Sequence, residues 1–214
     1  MPIERVINPS DQHQVGVWRV TESLDELQQL ISLSPQDREK VNSFRLEKRK
    51  REWLACRILL QHLIGKYPQI EYKKSGKPYL ADHSYYISLS HTDGFVAATV
   101  STEPTALDIE ITSQRIEKVA QRYMHDREWA FVETEQTLSY LTLIWSAKET
   151  LFKLYDESMV VFKDHFRIEP FQLCTEGQFQ ASCFFYNEPV NLQLDYLHLP
   201  EFVLVYHLFN AAVS

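Results

Sequence analysis

Two runs near the middle of the chain decide the fold: Phe95-Val96-Ala97-Ala98-Thr99-Val100-Ser101 and Ala106-Leu107-Asp108-Ile109-Glu110-Ile111. Both are short and rich in apolar or β-branched residues, and both read as strands. Working backwards, Tyr85 to Leu89 is a third such run, joined to the first through Thr92-Asp93-Gly94, which is hairpin chemistry. Before it, Arg45 to Ile64 carries Trp53, Leu54, Ile58, Leu59 and Leu63 at helical spacing, and Gly65 supplies a C-terminal stop. Ser34-Pro35 predicts an N-cap with proline at the first helical position, a short helix is expected over 24–31, and 15–20 alternates as a strand. Working forwards, helical pattern runs from Gln114 to Tyr155 with a break at His125-Asp126, where Asp126 is the expected N-cap. Phe166 to Phe209 then alternates as antiparallel strands, with turns expected at Glu176-Gly177, Asn187-Glu188-Pro189 and Leu199-Pro200. Each half is helix-rich first and strand-rich second. The fold class is therefore α+β, with two similar subdomains over residues 1–103 and 104–214.

Composition narrows the function. The chain has 214 residues, with 22 Lys plus Arg against 29 Asp plus Glu and a net charge of −7. An acidic total argues against nucleic acid as a partner, because phosphate neutralisation needs surplus cations. The charge is uneven, however: Arg38 to Lys77 holds 12 basic and 4 acidic residues, whereas the rest holds 10 and 25. A basic zone on an acidic body suggests an anionic ligand docking on the first half. No apolar run approaches a membrane span, and the start lacks the pattern of a secretory signal, so a cytoplasmic, soluble protein is expected. Cys56, Cys174 and Cys183 are odd in number and lack C-x-x-C spacing, which disfavours disulfides and a thiolate metal site. With five glycines, neither a dinucleotide fingerprint nor a P-loop can be written, so phosphate is not held by a glycine cradle.

Four groups of residues carry chemistry. Asp108 and Glu110 lie at i and i+2 of a strand and project to one face, a pairing that suits a hard cation such as Mg²⁺ and is also common on solvated strand faces. In Trp145-Ser146-Ala147-Lys148-Glu149-Thr150-Leu151-Phe152-Lys153, Glu149 and Lys153 share a helix face with Trp145. They make either a surface ion pair or a third carboxylate and a base beside a cation. In Ser88-Leu89-Ser90-His91, Ser88 and Ser90 share a face, and a hydroxyl with an imidazole at a strand end can hold phosphate; a structural histidine at a turn fits equally. Lys73-Lys74-Ser75-Gly76-Lys77-Pro78-Tyr79 is a basic turn that joins the basic helix. Arg57, deep in that helix, needs a partner if it points inward.

Taken in order, these groups resemble the Sfp-type 4′-phosphopantetheinyl transferases. The resemblance runs through Arg51-Glu52-Trp53-Leu54-Ala55-Cys56-Arg57, Gly76-Lys77-Pro78, Ser90-His91, Asp108-Ile109-Glu110, Arg122-Tyr123 with Glu128, and Trp145-Ser146-Ala147-Lys148-Glu149 with Lys153, over residues 44–155. It implies a pseudo-twofold fold with coenzyme A between the halves. It also implies transfer of the phosphopantetheine arm to a serine of an apo acyl- or peptidyl-carrier protein, with release of 3′,5′-ADP. By position, Asp108, Glu110 and Glu149 are implied as Mg²⁺ ligands; Glu149, Lys153 and His91 as catalytic; and Arg57, Lys77, Ser90, His91, Lys148 and Lys153 as coenzyme contacts. Carrier protein and coenzyme A are the implied partners, with no nucleic acid and no membrane, and two fused halves make a monomer sufficient.

The chain departs from the family pattern at three places. Ala106 stands where glycine is usual, Ser88 where asparagine is frequent, and Asp156-Glu157-Ser158-Met159-Val160 replaces a glycine-rich loop, so a stiffer or rerouted segment is expected there. Two other readings stand beside transfer: a binding module for coenzyme A or a carrier protein without turnover, and a Mg²⁺-dependent phosphohydrolase.

Overall fold

A computed structural model describes residues 3–10, 12–185 and 188–209. The first half runs β1 (Ile3–Ser10), β2 (His13–Arg19), α1 (Leu24–Gln29), α2 (Pro35–Ser43), α3 (Glu47–Ile64), β3 (Ile70–Tyr72), β4 (Pro78–Leu80), β5 (Tyr86–Thr92) and β6 (Phe95–Ser101). There follow β7 (Ala106–Glu110), α4 (Arg115–Tyr123), two 3-10 turns, α5 (Thr137–Tyr155), α6 (Phe162–His165), β8 (Phe166–Ile168), β9 (Glu176–Cys183), β10 (Val190–His198) and β11 (Val203–His207). Ser34 caps α2 by accepting from the Asp37 amide, with Pro35 at the first position, and Gly65 ends α3 at φ 72°, as the residue types dictate.

Two sheets carry the molecule, ordered β1-β2-β6-β5 and β7-β11-β10-β9-β8, with β3 and β4 as a separate hairpin. One connection occurs in both. A strand leads through the longest helix of its half to a hairpin, and the hairpin's last strand returns beside that first strand: β2, α3, β5, β6 and then β7, α5, β10, β11. This is the mixed helix-and-strand architecture expected.

Three clusters of apolar side chains explain the strand sequences. Val96, Ala98 and Val100 of β6 pack with α3, while Phe95 and Ala97, on its other face, join Val15, Val17, Leu107, Ile109, Leu204 and Tyr206 between the sheets. Both faces of β6 are buried, which is why it reads as a continuous apolar run. On β7, Leu107 and Ile109 face that intersheet layer, so the period of two sends Asp108 and Glu110 to the opposite face.

Three local expectations are corrected or fall outside. Asp126 caps nothing: Arg127 precedes the 3-10 turn, and Asp126 pairs with Lys163 at 3.0 Å. Glu176 and Gly177 lie inside β9 rather than in a turn. A Cβ on Gly177 would meet the Tyr196 hydroxyl at 2.8 Å, so close approach of that ring explains the glycine. Asn187 lies outside the described residues, whereas Leu199-Pro200 does separate β10 from β11. Among the described residues no helix is long and apolar enough to cross a membrane.

One polar network is buried in the fold. His13 Nε2 lies 2.7 Å from Thr99 Oγ1 and 3.2 Å from Thr105 Oγ1, and Thr105 donates to the His207 carbonyl at 3.1 Å. Burial, reinforced by His207, pulls the His13 imidazole down to about 4. The unfolded chain takes up this proton near 6.5 and the folded chain does not until about 4, so stability is complete above 6.5 and is lost as pH falls through that window. The loss is about 3 kcal/mol. Urea unfolding at pH 7 and pH 4.5 should show a smaller difference in His13→Gln than in the parent; an equal difference contradicts the assignment.

Candidate functional site

The site forms where β5 and β7 run side by side. Hydroxyls, rather than a backbone ladder, join them here. Ser88 Oγ accepts from the Leu107 amide at 3.2 Å, Ser90 Oγ donates to Asp108 Oδ1 at 2.7 Å, and Thr92 Oγ1 donates to Glu110 Oε2 at 3.2 Å. Alternation places all three hydroxyls on one face of β5, so a single period-two pattern faces the two carboxylates of β7.

Helix α5 covers these strands with Trp145, Glu149 and Lys153, each one turn from the next. Trp145 Nε1 donates to Glu110 Oε1 at 3.3 Å. Lys153 Nζ donates to Asp108 Oδ1 at 2.7 Å, to Ser90 Oγ at 2.9 Å and to the Leu107 carbonyl at 3.1 Å. Burial pushes the Glu149 carboxyl up to about 7, with the charges of Asp108 and Glu110 adding to the shift and Lys153 opposing it. Glu110 is raised too, first by burial and then by Asp108. Asp108 is buried, and its Oδ2 has no hydrogen-bond partner.

Two carboxylates raised by burial and by a neighbouring acid, Glu149 and Glu110, beside Asp108 with its orphaned buried oxygen, make a donor set suited to a hard divalent cation. Among the described residues no three acidic, His or Cys side chains converge as a ready-made coordination shell, and Lys153 supplies the counter-charge to Asp108. The donor chemistry fits a magnesium ion, whereas the side-chain arrangement is the one adopted around an ammonium group.

Two cavities flank the cluster. One of about 600 Å³ opens beside Lys153 and is lined by Ser75, Lys77, Ser88, Leu89, Phe152 and Asp156. The other, of about 520 Å³, opens beside Glu110 and is lined by Lys48, Thr92, Arg115 and Trp145. The basic turn borders the first. Lys77 Nζ donates to the Leu154 carbonyl at 2.9 Å, and Lys73 pairs with Asp156 at 3.3 Å, so this turn grips the C-terminal end of α5. Asp156 caps that helix at φ 57°, a left-handed conformation glycine adopts most easily and Asp tolerates. The glycine-free loop thus keeps a left-handed helix end. Ala106 is fully buried and pairs with His207 in the β7–β11 ladder.

The expected site residues divide. Asp108, Glu110, Glu149, Lys153 and Ser90 are brought together. His91 stands apart from them at the start of the hairpin, against Arg49 and Glu52. Two expected coenzyme contacts lie away from this cluster. Lys148 is fully buried on another side of α5, where Nζ donates to Glu128 Oε2 at 2.7 Å and to the Tyr123 carbonyl at 2.6 Å, leaving no access to a ligand. Arg57 is 2% exposed, stacks 3.2 Å from the Trp53 ring centroid and reaches Asp37 and Tyr72 at 3.4 Å. Its partner comes from α2, so it braces the first half. Thr92 is an addition, and alternation from Ser88 and Ser90 is the signal that finds it.

Comparison with known proteins agrees with this geometry. The family model of the 4′-phosphopantetheinyl transferase superfamily matches residues 104–205, which include Asp108, Glu110, Glu149 and Lys153. The chain is 28% identical over 130 residues to the 4′-phosphopantetheinyl transferase gsp of Aneurinibacillus migulanus, covering 58% of this chain and 54% of that protein. It is 30% identical over 112 residues to the transferase AcpT of Escherichia coli K12, covering 49% and 57%. It is 22% identical over 198 residues to the transferase Sfp of Bacillus subtilis 168, covering 87% and 82%. The chain thus spans little more than half the length of the first two relatives. Residues 104–205, 102 of the chain's 214, are thus similar to the 4′-phosphopantetheinyl transferase superfamily.

Proposed function

We propose that this protein transfers the 4′-phosphopantetheine arm of coenzyme A to a serine of an apo acyl- or peptidyl-carrier protein in a Mg²⁺-dependent reaction that releases 3′,5′-ADP. The observation that carries the reading is the cluster of Asp108, Glu110, Glu149 and Lys153 with a cavity on either side. One cavity suits the nucleotide end of the donor, since Lys77 and Ser88 line it; the other is open to an acceptor. Two cavities favour transfer between two substrates over hydrolysis by water.

In this reading Glu149 takes the proton of the acceptor serine, and a carboxyl held near 7 is matched to that task. Lys153, fixed by Ser90 and Asp108, carries positive charge toward the leaving phosphate. Ser90, His91 and Lys77 bind the coenzyme's phosphates. Asp108, Glu110 and Glu149 would hold magnesium, which neutralises charge on the pyrophosphate oxygens when bound. Thr92 and Trp145 keep Glu110 oriented. Since most catalysis of phosphoryl-type transfer is positioning and electrostatics, these fixed donors are the main contribution of the chain.

A panel of apo carriers incubated with a fluorescent coenzyme A and Mg²⁺ tests the reading. Label on a carrier serine supports transfer. Tight coenzyme binding without label favours a binding module, and 3′,5′-ADP release without a carrier favours a hydrolase. Asp108→Ala should raise the Mg²⁺ needed for half-maximal labelling at least about tenfold. An unchanged metal titration would remove Asp108 from the ligand set.

A further inference from the structure

Asp156 occupies a place that its own helix does not favour for a carboxylate. It caps α5 at φ 57° and ψ 30°, a left-handed conformation that glycine adopts most easily. It also sits at the negative end of the helix dipole, which disfavours an anion. What compensates both comes from the other half of the chain.

Three residues of the basic turn between β3 and β4 converge on this side chain. Ser75 hydrogen-bonds the carboxylate, Lys73 Nζ donates to Oδ2 at 3.3 Å, and the charge of Lys77 also favours the ionised form. Ser75 Oγ accepts from the Lys77 amide at 3.4 Å, which leaves its own proton for Asp156. Burial disfavours the charge on Asp156, yet these three partners overcome it and hold the carboxyl below its usual range. The turn is closed on itself, with the Lys73 amide donating to the Lys77 carbonyl at 3.0 Å and the Gly76 amide to the Lys73 carbonyl at 2.9 Å. Lys77 Nζ goes on to the Leu154 carbonyl at 2.9 Å, satisfying one of the acceptors left open at the end of α5. Residues 75–78 of the turn and residues 156–160 after the helix both line the cavity beside Lys153. The contacts at Asp156 therefore join two walls of that cavity.

We propose that Asp156 is a positioning residue: from the left-handed cap of α5, its carboxylate anchors the basic turn of the first half and so fixes the width of the cavity beside Lys153. The consequence for coenzyme A rests on the reading of that cavity as the site of the nucleotide end.

Relaxation of ¹⁵N amides in the full chain reads the turn directly. Order parameters over residues 73–77 should sit near the rigid-backbone value of about 0.85 in the parent. They should fall toward about 0.6 in Asp156→Gly, and also in Lys73→Met, which loosens the anchor without touching the helix cap. Asp156→Asn tolerates the left-handed cap and still accepts from Ser75, so it should fall less. Lys73→Met added to Asp156→Gly should change the turn little further, because the Lys73 contact is already gone. Titration of coenzyme A without a carrier should give a Kd about fivefold higher in Asp156→Gly, the upper end for an exposed pair, with a smaller change in kcat. Glycine is easiest at this cap, so a purely backbone role predicts an ordered turn in Asp156→Gly, and that result overturns the proposal. A loosened turn with unaltered coenzyme A binding supports the anchor and instead removes this cavity from the coenzyme's path.

Discussion

Glu149→Gln should lower phosphopantetheine transfer by about 10²–10⁴-fold, the range lost when a positioned general base is removed. The substitution keeps the size of the side chain and deletes only its ability to take a proton and carry charge. Binding of coenzyme A should persist, because the cavity beside Lys153 is lined by Lys77, Ser88 and Phe152 and not by Glu149. Single-turnover labelling of an apo carrier, with coenzyme binding measured separately, checks both parts. Near-normal turnover in the variant would take the base role away from Glu149.

The largest effect on stability is expected at Lys148. Both Lys148 and Glu128 are fully buried, at 0% exposure, and the carboxylate also accepts from the His125 amide at 2.6 Å and the Ile168 amide at 2.8 Å. Burial pulls the Lys148 ammonium below its usual range and Glu128 opposes that, so the charged pair persists because each partner neutralises the other. Lys148→Met leaves a buried carboxylate without its counter-charge and should cost about 3–5 kcal/mol. For a chain of this size, that lowers Tm by on the order of 10 °C. Lys148→Met combined with Glu128→Gln keeps an acceptor for a backbone amide while removing the stranded charge, so the double variant should be more stable than Lys148→Met alone. Thermal unfolding of the three proteins decides this. Equal stability of the single variant and the parent would mean that the pair does not hold the α5 end of this core.

How much the sequence revealed follows from the range of each interaction. Local periodicity made the strand face of Asp108 and Glu110 legible, along with the helix face of Glu149 and Lys153 and the caps at Ser34 and Gly65, because each is set within a few residues. Lys148 precedes Glu149 directly, and adjacent helical residues do not share a face, so spacing alone sets it apart from Lys153. Its destination could not be read, because Glu128 lies across a connection of 3-10 turns. Arg57 was visible as an inward cation, but its partner Asp37 sits on a different helix. The side-by-side run of β5 and β7 was invisible for a stronger reason. Hydroxyls 18 or 19 residues away join them, without a ladder register that a pattern could reveal.

The basic first half reads differently beside the structure. Of its cations, Lys73 and Lys77 are engaged by the end of α5, Arg57 by Asp37, and Lys48 by Asp93 at 2.7 Å. Regional charge therefore overstates what is free to meet a phosphate. The surplus marks the half that meets the carboxylate-bearing half, and individual geometry selects which cations border the cleft.

The most direct test of the central claim is the intact mass of an apo carrier protein after incubation with this protein, coenzyme A and Mg²⁺. The carrier should gain one phosphopantetheine arm, and the gain should be lost when the metal is chelated and when the carrier's acceptor serine is replaced by alanine. Across a panel of folded acyl- and peptidyl-carriers, an unchanged mass with the folded parent protein would contradict phosphopantetheine transfer.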